Sequence, residues 1–155
     1  HIPFVHEGLN KVLAYSNYKT ILYDHCNLQI GFSDESNELF NFPTDHIDYG
    51  KNIAAYYYWV FPNMMFNFYP WGLSVNVVKP KSPEETQIDY FTYVWKEELM
   101  EKGAGSGLDK VELEDEEIVE SVQKGIKSKA YDRGRYSPRR EIGVYYFHKL
   151  IQKYY

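Results

Sequence analysis

The sequence predicts an α+β domain in which an antiparallel sheet is followed by helices. Between positions 19 and 95, short runs rich in Tyr, Phe, Val and Ile are separated by brief polar or proline-containing breaks, a pattern typical of consecutive antiparallel strands. After a glycine-rich stretch at 101–108, the apolar residues change to helical spacing. A run of strands before a run of helices favours an α+β architecture whose terminal helices can cover one face of the sheet.

The strands are predicted from runs of β-branched and aromatic residues. The first two flank a turn-rich segment at 24–27, and a polar loop over about 33–51 separates them from the other four. The predicted strands cover 19–24, 28–32, 54–61, 64–69, 73–78 and 86–95.

Three helices are predicted from apolar residues that recur on one helical face. The first covers about 6–16 and begins after Pro3. The second covers 115–127, where acidic residues stand at the N-terminal end and complement the helix dipole. The third follows Pro138 and covers about 139–154.

The composition limits the classes of function. With 155 residues, 44% hydrophobic and 25% charged, the chain fits one globular domain over 1–155 that buries its own core. A net charge of −5 argues against a nucleic-acid surface, which is normally basic. There is neither an apolar run of ~18 residues, as a membrane span needs, nor a signal peptide. We therefore expect a cytoplasmic protein without nucleic-acid or membrane partners.

The cysteine content restricts the kind of metal site. Cys26 is the only cysteine, so these residues can form neither an internal disulfide nor a cysteine-based zinc or iron–sulfur site. A metal site in this chain must use histidine and carboxylate side chains.

Two histidines at the start of the chain are candidate metal ligands. His1 and His6 form H-x-x-x-x-H, and two imidazoles with one carboxylate are the ligand set of a non-haem ferrous site. Five residues of regular helix rotate the chain by roughly 500°, so convergence of the two rings needs a break, which Pro3 supplies. The alternative is that His1 is a frayed terminal residue and His6 a helix-surface residue. The isolated His25, His46 and His148 are predicted to be structural.

The candidate carboxylates lie in the acidic run at 112–117. Asp115 stands where the N-cap of the second helix is predicted, and Glu116 and Glu117 would complement the positive end of its dipole. Capping therefore explains these acids without a metal. The two roles are compatible, because a carboxylate at a helix start can also face a pocket.

Aromatic residues are abundant, with 16 Tyr, 9 Phe and 3 Trp. The run at 56–66 could form an aromatic box that attracts a quaternary ammonium ion, each good cation–π contact being worth ~0.5–2 kcal/mol. Alternatively, alternate members of the run fill the core of the sheet, as strand geometry requires. The members considered are Tyr56, Tyr57, Tyr58, Trp59, Phe61 and Phe66.

The stretch 114–151 closely resembles the end of ring-hydroxylating oxygenase alpha subunits. In that family an acid–Asp pair opens a helix that continues V-Q-x-G, followed in order by G-R-x-S-P, E and F-H-x-L. The opening residues 1–10 are similar to the family's iron-binding H-x-x-x-x-H segment, and together with 23–32 the resemblance covers most of the chain. The matching C-terminal segments are Glu114-Asp115, 122–125, 134–138, Glu141 and 147–150.

The resemblance implies a fold and a ligand set. The fold is the helix-grip type (START/Bet v1-like), a curved antiparallel sheet around a long C-terminal helix. His1, His6 and Asp115 would hold a mononuclear Fe(II). Glu114 is the alternative carboxylate, because members of the family differ by one residue in this register. No catalytic residue beyond the metal ligands and no further cofactor-binding residue is predicted.

The resemblance also implies an activity. In the branch similar to choline and carnitine monooxygenases, and in the aromatic ring hydroxylases, dioxygen hydroxylates a quaternary-ammonium or aromatic small molecule. The electrons come from a Rieske 2Fe-2S cluster, which needs two Cys and two His. These residues cannot build that cluster, so we expect it in a Rieske domain that they do not include, and we expect the chain alone to be inactive.

Further expected partners are NAD(P)H through a separate reductase or ferredoxin, and copies of the chain in a homo-oligomer, a trimer in the full-length protein. The alternative is a non-catalytic helix-grip domain that binds a small molecule.

Overall fold

A computed structural model of the protein describes residues 5–6, 18–33 and 38–155. The chain divides into two units, 1–107 and 108–155, and each is considered by itself. The boundary lies at the end of the glycine-rich stretch at 101–108. The helix predicted over 6–16 lies outside the described residues apart from His6. None of the described helices is long and apolar enough to cross a membrane.

The described part of the first unit contains a six-stranded antiparallel sheet in which every strand pairs with the next along the chain. This confirms the predicted α+β class and the meander of strands. Five of the predicted strands have at least one end within a few residues of the observed end. The sixth, predicted over 64–69, has the observed bounds. The strands are β1 Tyr18–Tyr23, β2 Cys26–Phe32, β3 Ile53–Val60, β4 Met64–Tyr69, β5 Gly72–Ser82 and β6 Glu85–Val94.

The hairpin between β5 and β6 is longer than predicted. The segment 79–85 was expected to be a loop, but pairing continues to Ser82↔Glu85 beyond a register shift after Pro80. A proline lacks the backbone N–H that a regular ladder uses, so an irregularity is a suitable place for it. The pairing of β4 with β5 ends at Met64↔Val77, so Pro80 lies beyond the region where β5 has strands on both sides.

One face of the sheet carries a row of apolar side chains. Directly paired residues share a face, and one such row across all six strands contains only apolar or aromatic side chains. The buried core cluster on this side consists of Leu28, Ile30 and Ile53. In the loop before β3, Phe40 and Phe42 pack against this cluster. The apolar row consists of Ile21, Leu28, Tyr58, Phe66, Val75 and Phe91.

The loop before β3 is held by a small polar network. Tyr56 Oη donates a hydrogen bond to Asp48 Oδ2 at 2.6 Å, and Lys51 Nζ donates to Oδ1 at 2.6 Å. The Lys51 and Tyr56 hydrogen bonds lower the pKa of Asp48. His46 Nδ1 accepts the Asp48 N–H at 3.1 Å, and its ring stacks on Phe42 with centroids 4.4 Å apart. His46 therefore has a structural role, as the sequence predicted.

The second unit contains two helices, α1 at Leu108–Ile126 and α2 at Ile142–Tyr154. The prediction that α1 begins at Asp115 was wrong: it begins seven residues earlier, and Asp109 is the acid in its first turn. Asp115 is therefore in the helix interior and does not cap it. The helix α2 begins three residues later than predicted, because a turn in which the Glu141 N–H donates to the Ser137 carbonyl at 2.9 Å precedes it.

Candidate functional site

The second face of the sheet carries hydrogen-bonding side chains. A row of directly paired positions crosses all six strands, and each of its six side chains has a neutral hydroxyl or amide group. We call this set the polar row. It consists of Thr20, Gln29, Tyr57, Asn67, Ser74 and Thr92.

Much of the polar row is withdrawn from solvent. Ser74 is 0% exposed, and Thr20 and Asn67 are half-buried. Gln29 and Thr92, in contrast, are exposed. The hydroxyl oxygen of Tyr57 is buried and has no hydrogen-bond partner. A buried polar group without a partner costs free energy, and it is tolerated where the group meets water or a ligand. The polar row is therefore suited to binding a small polar molecule.

A second row on the same face adds amides and aromatic rings. Asn27 is only 9% exposed, and Asn76 Oδ1 accepts a hydrogen bond from Ser74 Oγ at 3.1 Å. Trp59 and Tyr90 contribute rings. No position in either row carries a charged side chain. This flanking row consists of Leu22, Asn27, Trp59, Met65, Asn76 and Tyr90.

The sheet divides the aromatic run at 56–66 between its two faces. Tyr57 and Trp59 lie on the polar face, whereas Tyr56, Tyr58 and Phe66 lie on the apolar face. Tyr56 and Tyr58 pack against the core cluster there. A single box made of the whole run is therefore wrong, and the alternative of alternating core residues holds for the members on the apolar face.

A series of aromatic rings on the polar face was missed by sequence reasoning. Tyr18 and Tyr57 have ring centroids 6.2 Å apart, Tyr57 and Tyr69 5.9 Å, and Tyr69 and Trp71 5.2 Å with nearly parallel planes. Gly31 lies opposite Tyr18 on β2, and its missing side chain leaves room for the Tyr18 and Tyr57 rings to meet across that strand.

The phenols of this series are strongly perturbed. Burial raises the pKa of Tyr57 well above its ordinary value, and nearby Tyr69 adds to the effect. Burial also raises the pKa of Tyr18, and its proximity to Tyr57 contributes. The Tyr18 and Tyr57 hydroxyls are both buried, and although they lie near each other and near Tyr69, neither makes a hydrogen bond of regular geometry. Both phenols are therefore neutral hydroxyl groups, able to donate a hydrogen bond to a ligand.

The end of the ring series is packed under a 3-10 turn at Gly103–Gly105. Tyr69 and Trp71 are only 3% and 1% exposed. A Cβ atom added to Gly105 would lie 2.3 Å from Trp71 Nε1 and 2.9 Å from Tyr69 Cγ. Only glycine fits at this position, so the glycine-rich stretch has a packing role that its appearance as a linker did not indicate.

The predicted metal ligands are distributed over both units. His6 is buried in the first unit, with 1% exposure, and His1 lies outside the described residues. In the second unit, Asp115 and Glu114 are half-buried on α1. No group of three or more His, Cys, Asp or Glu side chains able to hold a metal occurs among residues 5–6, 18–33 and 38–155. The set His1, His6 and Asp115 includes a residue outside that range, and it stays a prediction.

Asp115 lies in an acidic part of α1. Burial raises the pKa of Glu112 to about 7, and the nearby carboxylates of Asp109, Glu116 and Asp115 raise it further in that order. A divalent cation at such a place would relieve the repulsion among these groups. The buried imidazole of His6 and the half-buried carboxylate of Asp115 are ligand types that ferrous iron accepts. The donor chemistry of the described residues therefore fits the predicted metal.

The partly buried, uncharged polar face of the sheet is a surface on which a small polar molecule could bind. The chain is a member of the ring hydroxylating alpha subunit (catalytic domain) family, whose model matches residues 1–155. The family resemblance seen in the sequence is thereby confirmed.

Curated relatives include oxygenases of two kinds. The chain is 33% identical to the chloroplastic choline monooxygenase of Arabidopsis thaliana, over 97% of this chain and 35% of that protein. It is 29% identical to the carnitine monooxygenase oxygenase subunit of Escherichia coli K12, over 97% of this chain and 42% of that protein. The chain thus spans between about a third and two fifths of these relatives.

Solved structures have the same fold. A quaternary ammonium Rieske monooxygenase in complex with an inhibitor superposes with a TM-score of 0.71 at 25% identity, covering 99% of this chain and 42% of that one. A second structure of a quaternary ammonium Rieske monooxygenase has a TM-score of 0.70 at 24% identity, covering 99% and 43%.

Proposed function

We propose that this chain forms the catalytic domain of a Rieske-type non-haem iron monooxygenase that oxidises a small quaternary ammonium compound. The observation that carries the proposal is the polar face, where aromatic rings and neutral hydrogen-bonding groups share a partly buried surface. The names of the relatives, which act on choline and carnitine, support the same substrate class. The resemblance implies a helix-grip arrangement, and a cytoplasmic location stays a prediction.

In this proposal His1, His6 and Asp115 hold the iron, with Glu114 as the alternative carboxylate. Ferrous iron bound by two imidazoles and one carboxylate supplies open coordination positions for dioxygen beside the substrate. Burial of His6 restricts the orientations of its ring, which reduces the entropy lost when it binds a metal. The acidic residues around Asp115 provide the negative potential that favours a divalent cation.

The polar face positions the substrate. The rings of Tyr57, Trp59 and Tyr90 offer faces to a quaternary ammonium group, which cannot donate a hydrogen bond and is stabilised by cation–π contact. The amides of Gln29 and Asn67 can orient a polar tail. Because the apolar row on the other face is occupied by core packing, we expect substrate on the polar face.

The electrons come from outside these residues. Cys26 alone cannot ligate a Rieske cluster, so the proposal places the cluster in another domain, reduced by NAD(P)H through a reductase or ferredoxin. We also propose a homo-oligomer, a trimer by the family resemblance. Exposed apolar residues on α1 support an association surface, since such residues mark protein contacts. Leu113, Val119 and Val122 are 61%, 64% and 56% exposed.

Metal analysis tests the ligand set. In purified protein that contains this chain, His6→Ala and Asp115→Ala should each abolish stoichiometric iron while circular dichroism shows a retained fold. Matched controls are His25→Ala and Glu120→Ala, which remove an exposed histidine and an exposed acid of α1 and should leave the iron content unchanged. An Asp115→Ala protein with full iron would contradict the assignment and make Glu114 the next residue to test.

A second candidate is a non-catalytic domain that binds a small molecule on the same face. The unpartnered hydroxyls of Tyr18 and Tyr57 favour it, because they can bind a ligand without any metal. Aromatic ring hydroxylation is the alternative activity within the family. Absence of iron from wild-type protein purified under reducing conditions, together with binding of a small molecule, would favour the non-catalytic function.

A further inference from the structure

The charges of the sheet are unequally divided between its faces. Neither the polar row nor the flanking row contains a Lys, Arg, Asp or Glu. Lys19 and Asp89 lie on the opposite face, where Lys79 donates a hydrogen bond to Asp89. The strand positions that face a bound substrate therefore offer aromatic faces and dipoles without a formal charge.

We propose that this uncharged face selects a quaternary ammonium compound whose tail is neutral, such as a hydroxyl, over a zwitterion whose tail is a carboxylate. The inference rests on the proposed function and specifies its substrate. Choline has a neutral hydroxyl tail, whereas carnitine has a carboxylate.

The neutral tail matches the groups that the face provides. A hydroxyl is both donor and acceptor, as are the amides of Gln29 and Asn67. The buried hydroxyl of Tyr57, which lies between these two residues in the polar row and has no partner, would gain an acceptor when the tail binds. Binding of the tail therefore gives the Tyr57 hydroxyl a well-aligned acceptor, which the neighbouring Tyr18 and Tyr69 hydroxyls do not provide.

A carboxylate tail lacks its usual partner on this face. Removing a carboxylate from water is costly unless a cation or several hydrogen-bond donors replace the lost hydration. Lys and Arg are absent from the two rows, and the Ser74 hydroxyl already donates to Asn76. The carboxylate would have to be held by neutral donors alone, which compensates its desolvation less well than an ion pair.

Binding to the 155-residue chain tests the inference directly. Isothermal titration calorimetry with choline and with carnitine should give an affinity for choline at least about tenfold higher. Equal affinities, or tighter binding of carnitine, would overturn the proposal, as would failure of both ligands to bind. Preferential binding of choline by a protein that neither holds iron nor oxidises it would leave the selectivity intact and refute the proposed function.

A charge placed in the polar row should reverse the preference. Asn67→Lys adds a cation at the half-buried centre of the row, and it should weaken choline binding while raising the affinity for carnitine relative to choline by about tenfold or more. Asn67→Met is the matched control, since it has a similar length without the charge and should not raise the relative affinity for carnitine. If Asn67→Lys fails to fold, Thr20→Lys places the charge at the half-buried end of the same row.

A substitution of Tyr57 tests separately whether its hydroxyl binds the tail. Tyr57→Phe removes the unpartnered group, so the ligand-free chain should be as stable as wild type or more stable, whereas choline should bind several-fold more weakly. Unchanged choline affinity, or a large loss of stability without ligand, would contradict the role assigned to this hydroxyl in holding the tail.

Discussion

Replacing Gly105 by alanine should destabilise the first unit through a defined steric conflict. The added methyl group would lie 2.3 Å from Trp71 Nε1 and 2.9 Å from Tyr69 Cγ, both of which belong to buried, stacked rings. Those rings cannot move into solvent without losing their packing. Overpacking of a core typically costs ~1–3 kcal/mol and loss of an aromatic pair ~0.5–1.5 kcal/mol, so we expect about 2–4 kcal/mol in total.

The assay for Gly105→Ala is equilibrium unfolding in urea followed by tryptophan fluorescence, since Trp59, Trp71 and Trp95 all belong to the first unit. For a chain of this size the expected loss corresponds to a fall in the melting temperature of roughly 4–16 °C.

The matched control for this assay is Gly125→Ala, made in the α1 helix, where an added Cβ meets nothing within 4 Å. Followed by helical ellipticity, it should stabilise that unit by up to ~1 kcal/mol. Wild-type stability of Gly105→Ala would refute the packing argument.

Three further outcomes are expected. Tyr56→Phe removes the 2.6 Å hydrogen bond to Asp48 and should lower the free energy of unfolding by about 1 kcal/mol at neutral pH. Because the folded pKa of Asp48 is lowered, the difference in stability between wild type and variant should shrink as the pH falls through this pKa. A pH-independent difference in urea unfolding would contradict the network. Glu141→Ala removes the acceptor of the Ser137 N–H at 2.6 Å and should lower the stability of the second unit by about 1 kcal/mol, whereas the exposed control Glu120→Ala should change it little. Equal effects of the two substitutions in thermal melts would refute a stabilising role for this hydrogen bond. Finally, the 155-residue chain supplied with ferrous iron, NADH and a cognate reductase should show no multiple turnover by product analysis, because Cys26 alone cannot hold a Rieske cluster. Sustained product formation would contradict the expectation that the electrons come from another domain.

Much of the fold could be predicted because its signals are local. The strand 64–69 is bounded by proline-containing turns on both sides, and its limits were predicted correctly. The start of α1 was misplaced at Asp115 because an acidic residue before an apolar run has the composition of a helix start. Helix formation continues back to Leu108 since the residues between, among them Lys110 and Glu114, are also good helix formers and form an i,i+4 ion pair at 3.6 Å.

The candidate site could be predicted only in part. The residue types and the family motif predict which side chains could bind iron. Whether His1, His6 and Asp115 converge depends on chain geometry, which their spacing in the sequence does not determine. The ring series from Tyr18 to Trp71 joins residues more than 50 positions apart, and no local pattern connects them. A signal did exist for the polar face: Asn27 and Gln29, and again Ser74 and Asn76, alternate with apolar residues at the strand period of two.

The register of the sheet decides which side chains can meet a substrate, and a short turn sets it. Tyr69 pairs with Gly72, so only Pro70 and Trp71 separate β4 from β5, and this two-residue connection places Asn67 opposite Ser74. A shift of one residue in β5 would bring Val75 to the polar face and Ser74 to the core. Insertion of one residue between Pro70 and Trp71 should therefore remove ligand binding even though no residue of the polar row is changed, whereas insertion between the exposed residues Asp132 and Arg133, which connect no strands, should not.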